Sequence, residues 1–571
     1  MDSNATPSSS ILGQRWAQIF PVFDPAQRAV ARRFGGEPRA FGPHALVFEL
    51  GQAGVPAWLV IRGSIEVSRR DRLGDITSVT THGPGELTGE ISQLAGGPSL
   101  ARGVAGSVGA EAVPFDAAQV RALVVACAEV GDAVMRAFIL RRAFLIETGA
   151  GVVLLGHADS PESLRLQHFL RRNAVPRTML DPSTDPDADQ VIQRLAISKA
   201  ELPIALCPDG SVLRNPDEKS LARSLGLLPD GLTDRSYDAA IVGAGPAGLA
   251  TAVYAASEGL SVLVLDSHAF GGQAGASSRI ENYLGFPTGI SGEALAGRAY
   301  AQAAKFGAIM AIPAEVTLLK PTPGTEHPQQ RRFELTLDTG KPVRASAVVV
   351  ASGARYRKPD LPNLGDFEGR GVYYWASPIE SKLCARRDVV VVGGGNSAGQ
   401  GTVFLAGYVS RVFLLVRGRH LGEHMSQYLV ERIQALRNVE VRTETELTQL
   451  IGERTQGLQG VRWRNRRTGE EERHDIHHVF LFIGAVANTD WLRRCAVRVD
   501  EKGFVQTGAP AGDSAAANTQ SRRLPLETSQ RGVFAIGDVR AGSVKRVSAA
   551  VGEGASLVAQ LHDYLRAEST D

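Results

Sequence analysis

At 571 residues the chain exceeds what one hydrophobic core supports, and about 150 residues per domain predicts roughly four domains. Its 43% hydrophobic and 21% charged residues exclude wholesale disorder, and a formal net charge of +2 excludes a bulk electrostatic footprint for nucleic acid. No stretch reaches the roughly 20 apolar residues of a membrane span, and the first fifteen residues are polar and Ser-rich with no apolar core. The four cysteines, Cys127, Cys207, Cys384 and Cys495, include no Cys-x-x-Cys pair, which suits a reducing cytosol. A cytoplasmic protein with no nucleic-acid or membrane partner and no metal site is expected.

From about Ala40 to Val113, strand-like runs (ALVFEL, AWLVIRGSIEVS, ITSVTTHGPGEL) alternate with glycine turns such as GQAG and predict a small β-roll. From Asp116 to Thr148, apolar residues recur every three or four positions, predicting one long helix that closes a first domain over 1–149. Next, GVVLLGHAD reads as a buried strand, SLRLQHFLRRN as an amphipathic helix and ELPIALCPDGSVL as a hairpin with Pro203 at its entrance. These make 150–228 a small α/β unit. After a linker at 229–235, strand and helix patterns alternate twice through a glycine-rich turn, which implies two similar nucleotide-binding folds.

The first of these, YDAAIVGAGPAGLATAVYAASEGLSVLVLD, sets Gly243, Gly245 and Gly248 between a strand and a helix, with a second strand ending in Asp266. The first glycine allows the tight turn, the second lets backbone reach a pyrophosphate, and the third permits close helix packing. Asp266 is placed to bind a ribose hydroxyl. In the second, RRDVVVVGGGNSAGQGTVFLAGYVSRVFLLVRGRH, the three positions hold Gly393, Gly395 and Ala398, and the strand ends in Arg417 and Arg419. Guanidinium groups there suit the 2′-phosphate of NADPH and favour it over NADH; the alternative is a solvated strand end.

From Tyr237 onward the chain resembles low-molecular-weight thioredoxin reductases, in the ordered series GAGPAG, GGQAGASSRIENYLGFP, VVVASGA, GGGNSA and GVFAIGDVR. The resemblance implies FAD contacts at Gly243, Gly245, Pro246, Ala247, Gly248, Asp266, Gly272, Gln273, Asn282, Gly353, Gly537 and Asp538. Lys545, Arg546, Val547 and Ser548 would lie near the flavin ring. It implies NADPH contacts at Gly393, Gly395, Asn396, Ser397, Ala398, Arg417 and Arg419. It also implies an FAD-binding domain in two parts, 236–356 and 484–571, with an NAD(P)H-binding domain at 357–483 between them, a homodimer, and a hinge rotation that presents nicotinamide and disulfide to the flavin in turn. The fold class expected is α/β: two Rossmann-type three-layer domains, preceded by a β-roll with helices and a small thioredoxin-like domain.

The pattern breaks where thioredoxin reductases carry Cys-Ala-Thr-Cys-Asp. Here GRGVYYWASPIES puts Trp375 and Pro378 at the cysteine positions and Ile379 at the acid, with Glu380 adjacent. Without two thiols, no internal disulfide can take electrons and pass them on by exchange. Trp375 either covers the flavin face or packs a domain interface, and Cys384 reads as a small core residue. The 150–228 unit resembles thioredoxin or glutaredoxin, but HADSPES places Ser160 and Ser163 where its cysteines would be. The first domain resembles cyclic-nucleotide-binding domains through GEISQLAGGPSLARG: Gly89 and Glu90 are in place, while Ser99 replaces the phosphate-binding arginine after Pro98 and Arg102 is the nearest guanidinium. Either a cyclic nucleotide binds there or the roll is structural.

These readings predict an FAD-dependent NAD(P)H oxidoreductase whose electrons leave for a small-molecule or protein acceptor such as oxygen, a quinone, a ferredoxin-like protein or a small disulfide. A flavin or nucleotide sensor with little turnover, and thioredoxin reduction by an unusual route, are the alternatives.

Overall fold

The computed structural model describes residues 15–70, 76–90, 93–94, 99–147, 151–185, 188, 191–193, 197–198, 201–208, 210–229, 231–322, 333–454, 456–508 and 523–570. Helices α1 (Trp16–Ile19) and α2 (Pro25–Arg32) precede strands β1 (Arg39–Phe41), β2 (Leu46–Phe48), β3 (Ala57–Arg70), β4 (Ile76–His82) and β5 (Arg102–Phe115). These strands form an antiparallel sheet in the order β1-β5-β3-β4, with β2 also on β5, as the strand-and-glycine pattern predicts.

The single helix expected over Asp116–Thr148 is two helices, α3 (Ala117–Ala126) and α4 (Ala128–Glu147); Thr148 lies outside the described residues. Asp116 and Gln119 form a capping box that starts α3. Cys127 then takes an extended backbone, φ −126° and ψ 101°, which ends it. The reversal is close: a Cβ on Gly131 would stand 2.4 Å from the Val124 carbonyl oxygen, so only glycine admits this approach of α4 to α3.

The next unit has β6 (Val152–Leu155), α5 (Pro161–Arg172), β7 (Arg177–Leu180), β8 (Ile204–Leu206), β9 (Val212–Arg214) and α6 (Glu218–Ser224). Its sheet runs β7-β6-β8-β9, parallel between β6 and β7 and antiparallel thereafter, and the Leu202–Pro203 peptide that opens the β8–β9 hairpin is cis. Ser160 is the N-cap of α5, its Oγ accepting the Ser163 N–H at 3.2 Å. The two serines that stand where the resemblance expects thiols therefore start a helix.

The third sheet holds β10 (Ser236–Val242), β11 (Val262–Leu265), β12 (Ile309–Ala311), β13 (Val316–Pro321), β14 (Phe333–Leu337) and β15 (Pro342–Val350). Strands β12, β11, β10 and β15 are parallel neighbours, while β13 and β14 extend the sheet antiparallel. Helix α7 (Pro246–Ser257) crosses from β10 to β11, and α8 (Gly292–Lys305) leads to β12. An antiparallel ribbon of β16 (Ala354–Tyr356) and a later strand, Ala485–Ala487, brackets the fourth unit. That unit contains β17 (Val372–Tyr373), α9 (Pro378–Leu383), β18 (Asp388–Val392), α10 (Asn396–Ala406), β19 (Arg411–Leu415), β20 (Val439–Arg442) and β24 (Val479–Leu481). Its parallel order is β17-β24-β18-β19-β20, flanked by the meander β21 (Thr445–Glu453), β22 (Gly457–Asn465) and β23 (Glu471–His474). The ribbon's second strand is β25; β26 (Val533–Ala535) then pairs parallel with β15, and α11 (Val547–Thr570) packs on α7. Two Rossmann-type units thus follow the β-roll and the small α/β unit.

Burial follows from composition: β10, β11, β15 and β18 are runs of Val, Ile, Leu and Ala covered on both faces, the pattern of parallel sheets under crossover helices. The meander is anchored by Trp463, 1% exposed, whose ring stacks on His474 at 3.9 Å between centroids and tilts against Phe413. Trp463→Ala is expected to destabilise this unit by about 3–5 kcal/mol, read as a lower urea midpoint for the transition that exposes it.

Candidate active site at the two glycine turns

Strand β10 ends at Val242 and the chain turns at Gly243, φ +114°, into α7. A Cβ on Gly243 would lie 2.1 Å from the Ala351 carbonyl oxygen, and one on Gly248 1.9 Å from the Gly243 oxygen, so both positions demand glycine. Gly245 differs: the nearest atom to its Cβ position is a Gly272 Cα at 3.8 Å, leaving open the approach a pyrophosphate needs. Asp266 stands at the tip of β11 with its carboxylate held: Oδ2 accepts from the Ala244 N–H at 2.8 Å, and Oδ1 from the His268 and Ala269 N–H groups at 3.0 and 3.2 Å.

The second turn repeats the design. Gly393, φ +148°, approaches the Phe482 carbonyl so closely that a Cβ would lie 2.4 Å away, while the Cβ position of Gly395 is open. Ala398 takes the third-glycine place fully buried, which a methyl fits here. Asn396 accepts the Ser426 N–H on its Oδ1 at 2.7 Å, fixing the start of α10.

The two turns line one continuous cavity of about 920 Å³. Gly272, Gln273, Asn282, Gly353, Gly537 and Asp538 line it too, as do Lys545, Arg546, Val547 and Ser548 at the start of α11 and Ser397, Arg417 and Trp375 from the second Rossmann unit. Gln273 is fixed by donating its amide to the Ala354 carbonyl at 2.6 Å. Lys545 donates to the Asp538 carbonyl at 2.5 Å and to Ser543 Oγ at 2.8 Å, with its ammonium 4.3 Å from the Phe504 ring centroid. Burial pushes the Asp538 carboxyl up, against the pull of Lys545 and with the push of Glu553. Burial also pulls the Lys545 ammonium down, against the carboxylates of Asp538 and Glu553.

Four predicted residues do not line the cavity. Gly248 and Ala398 lie behind the turns as packing positions. Pro378 is the first residue of α9. Arg419 is 81% exposed and pairs with Glu444 at 3.7 Å, so of the two arginines expected here only Arg417 lines the cavity. Strand alternation ends with β19 at Leu415, and beyond Gly418 the chain turns Arg419 outward. His420, Glu423 and His424 line the cavity in its place, brought there by a loop with no spacing signal in the sequence. Tyr283, Tyr356 and Phe504 are lining aromatics of the same kind.

Beside the cavity, Glu380 occupies the space next to the absent cysteines. It is 1% exposed, yet its carboxylate is fully engaged. Oε1 accepts from His168 Nε2 at 2.8 Å and Trp375 Nε1 at 3.1 Å, while Oε2 accepts from the Ser377 N–H at 3.0 Å and from Ser377 Oγ. Burial alone would raise this carboxyl, but the hydrogen bond and charge of His168, with the Ser377 bond, hold it below the usual range. Cys384 is fully buried, donates to the Glu380 carbonyl at 3.1 Å, and has its thiol pushed up to about 12 by burial. It stays a protonated core thiol.

In the β-roll, Gly89, Glu90 and Ser99 border a cavity of about 60 Å³, far below the roughly 300 Å³ at which small-molecule sites begin. Arg102, named from the sequence as the guanidinium nearest the missing phosphate ligand, does not border it and pairs with Glu49 at 3.2 Å. Glu90 faces Arg142 at 3.6 Å, and buried Arg141 spends its guanidinium on the carbonyls of Ile19, Leu87 and Gly89. Pro98 lies outside the described residues.

Residues 237–554 match the family described as pyridine nucleotide-disulphide oxidoreductase, and the chain belongs to that family. The thioredoxin reductase of Treponema pallidum (strain Nichols) is 33% identical over 332 residues, covering 58% of this chain and 98% of that protein. The F component of the alkyl hydroperoxide reductase of Pseudomonas putida is 31% identical over 331 residues, 58% of this chain and 58% of that relative, so the match spans little more than half of the latter. The crystal structure of T. acidophilum thioredoxin reductase superposes with a TM-score of 0.50 at 28% identity, covering 58% of this chain and 98% of that one. The chain is accordingly an FAD-dependent NAD(P)H oxidoreductase of the thioredoxin reductase-like type, and its family uses FAD and NADPH. The cavity fits those groups, since the only glycine Cβ positions left open at the two turns face it and its volume takes extended ligands.

Gly248→Ala is expected to remove most bound flavin, measured as visible flavin absorbance per protein after purification, because its Cβ has no room. Arg417→Ala should raise the KM for NADPH roughly tenfold or more, the loss of a charge-assisted contact of about 1.5–3 kcal/mol. It should leave the KM for NADH within about a factor of two, and Arg419→Ala should change neither.

Proposed function

We propose that electrons from NADPH leave this chain directly to an external acceptor and not through an internal disulfide. The observation that carries this is Trp375 in the cavity wall at the position where the resemblance places a thiol, with Cys384 buried against the Glu380 carbonyl and held as a thiol. Bound FAD would supply the two-electron exchange between nicotinamide and acceptor. Gly243, Gly245 and the start of α7 would hold its pyrophosphate and Asp266 its ribose, while Gly393, Gly395 and Arg417 would orient the nicotinamide nucleotide. The indole of Trp375, held on the cavity wall through its N–H by Glu380, would limit which acceptors enter.

The relatives' names designate thioredoxin and alkyl hydroperoxide as what those proteins reduce; here oxygen, a quinone, a ferredoxin-like protein or a small disulfide is the acceptor class. The reading includes a homodimer in the cytoplasm and a β-roll that serves structurally, the small volume of its cavity arguing against a cyclic nucleotide. The sensor reading draws on the same departures: Trp375, Pro378, Ser160, Ser163 and Ser99 each replace a residue the resembled families use.

Anaerobic stopped-flow mixing of the yellow protein with NADPH, then with acceptor, decides between them. Rapid bleaching and repeated reoxidation are expected, with NADH slower and Cys384→Ser within about a factor of two of the parent. One reduction followed by a stall with every acceptor would favour the sensor.

A further inference from the structure

Within six residues at its C-terminal end, helix α5 of the thioredoxin-like unit reaches both Rossmann units. His168 Nε2 donates to Glu380 at 2.8 Å in the NADPH-binding unit, and its ring meets Trp375 edge-on at 5.3 Å. Arg171 pairs with Glu293 of α8 at 2.9 Å. Arg172 donates to the Gly272 carbonyl at 2.8 Å, and the C-cap Asn173 donates to the His268 carbonyl at 3.0 Å. Gly272 and Asp266 line the shared cavity, where the resemblance expects the flavin nucleotide. The Rossmann units are also tied directly, Arg432 to Glu281 at 2.5 Å.

We propose that α5 is a strut that holds the two Rossmann units in the arrangement where both glycine turns share one cavity, and that His168 is a positioning residue acting on Trp375 through Glu380. The thioredoxin-like unit then contributes geometry instead of thiols. Glu380 is the centre of this linkage: one carboxylate oxygen takes both the His168 and Trp375 donors, so the indole sits where the strut puts it. With no disulfide to present in turn, a single arrangement in which both glycine turns open into the shared cavity serves turnover, and the strut holds that arrangement. This rests on the external-acceptor reading for its purpose, but not for its geometry.

The test uses the full-length flavoprotein with His168→Ala, His168→Gln, whose amide retains an N–H donor, and Glu293→Ala at the half-exposed far end. Two readouts are taken: small-angle scattering, which needs no turnover, and the rate of anaerobic flavin reduction at saturating NADPH. His168→Ala is expected to enlarge the radius of gyration and to slow flavin reduction about tenfold or more with KM for NADPH within a factor of two. His168→Gln should restore both to near the parent, and Glu293→Ala should shift both in the direction of His168→Ala. Scattering curves for His168→Ala and Glu293→Ala that superimpose on the parent overturn the strut. Reduction as slow in His168→Gln as in His168→Ala overturns the positioning role. If the parent flavin is not bleached by NADPH, the functional reading fails, and scattering still decides the strut.

Discussion

Everything in the catalytic half depends on how close backbone must come to backbone at the two strand-to-helix turns. Gly243 and Gly393 place their Cα atoms against the Ala351 and Phe482 carbonyls at separations no side chain tolerates, and Gly248 closes α7 onto the first turn. That approach aims the N-termini of α7 and α10 into one cavity, where unpaired N–H groups favour phosphate. Other features of the site, including the held carboxylate of Asp266 and the start of α11, are arranged around that pair of turns.

The second governing feature is a charge buried beside the positions where thioredoxin reductases carry sulfur. A carboxylate taken from water costs several kcal/mol unless its lone pairs are filled. Glu380 meets that demand with donors from His168, Trp375 and the Ser377 backbone and hydroxyl. Removing any one partner leaves part of that cost uncompensated, so the segment from Trp375 to Glu380 is specified as a unit. A thiol pair could not be restored by two substitutions alone, because Trp375 is a donor to the buried acid and Pro378 begins the helix that carries it.

Much of the fold is legible in the sequence because its signals are local. Glycine spacing between apolar runs locates both turns, strand ends locate Asp266 and Arg417, and alternation locates the β-roll. The break at Cys127 is not legible, since apolar residues keep helical spacing across it and only the close packing of Gly131 on Val124 requires the reversal. Arg419 and Arg102 mislead because proximity in sequence does not set direction: one follows a turn out of β19 and the other begins β5 pointing to Glu49. The His168–Glu380 contact joins positions far apart in the chain, and no pattern in either segment announces the other.

The pairing of β26 with β15 bears on how the molecule is made. Val348–Val350 has its second neighbour only when Val533–Ala535 arrives, after the whole second Rossmann unit has been synthesised. Until then the nascent sheet of the first Rossmann unit presents an apolar valine edge, the kind of surface that recruits foreign strands. The inserted unit has its own parallel sheet and core and can fold while that edge waits. Order of synthesis therefore makes the second-encoded Rossmann unit the first able to finish, and the last strand a closing piece whose delay sets the window for misassembly.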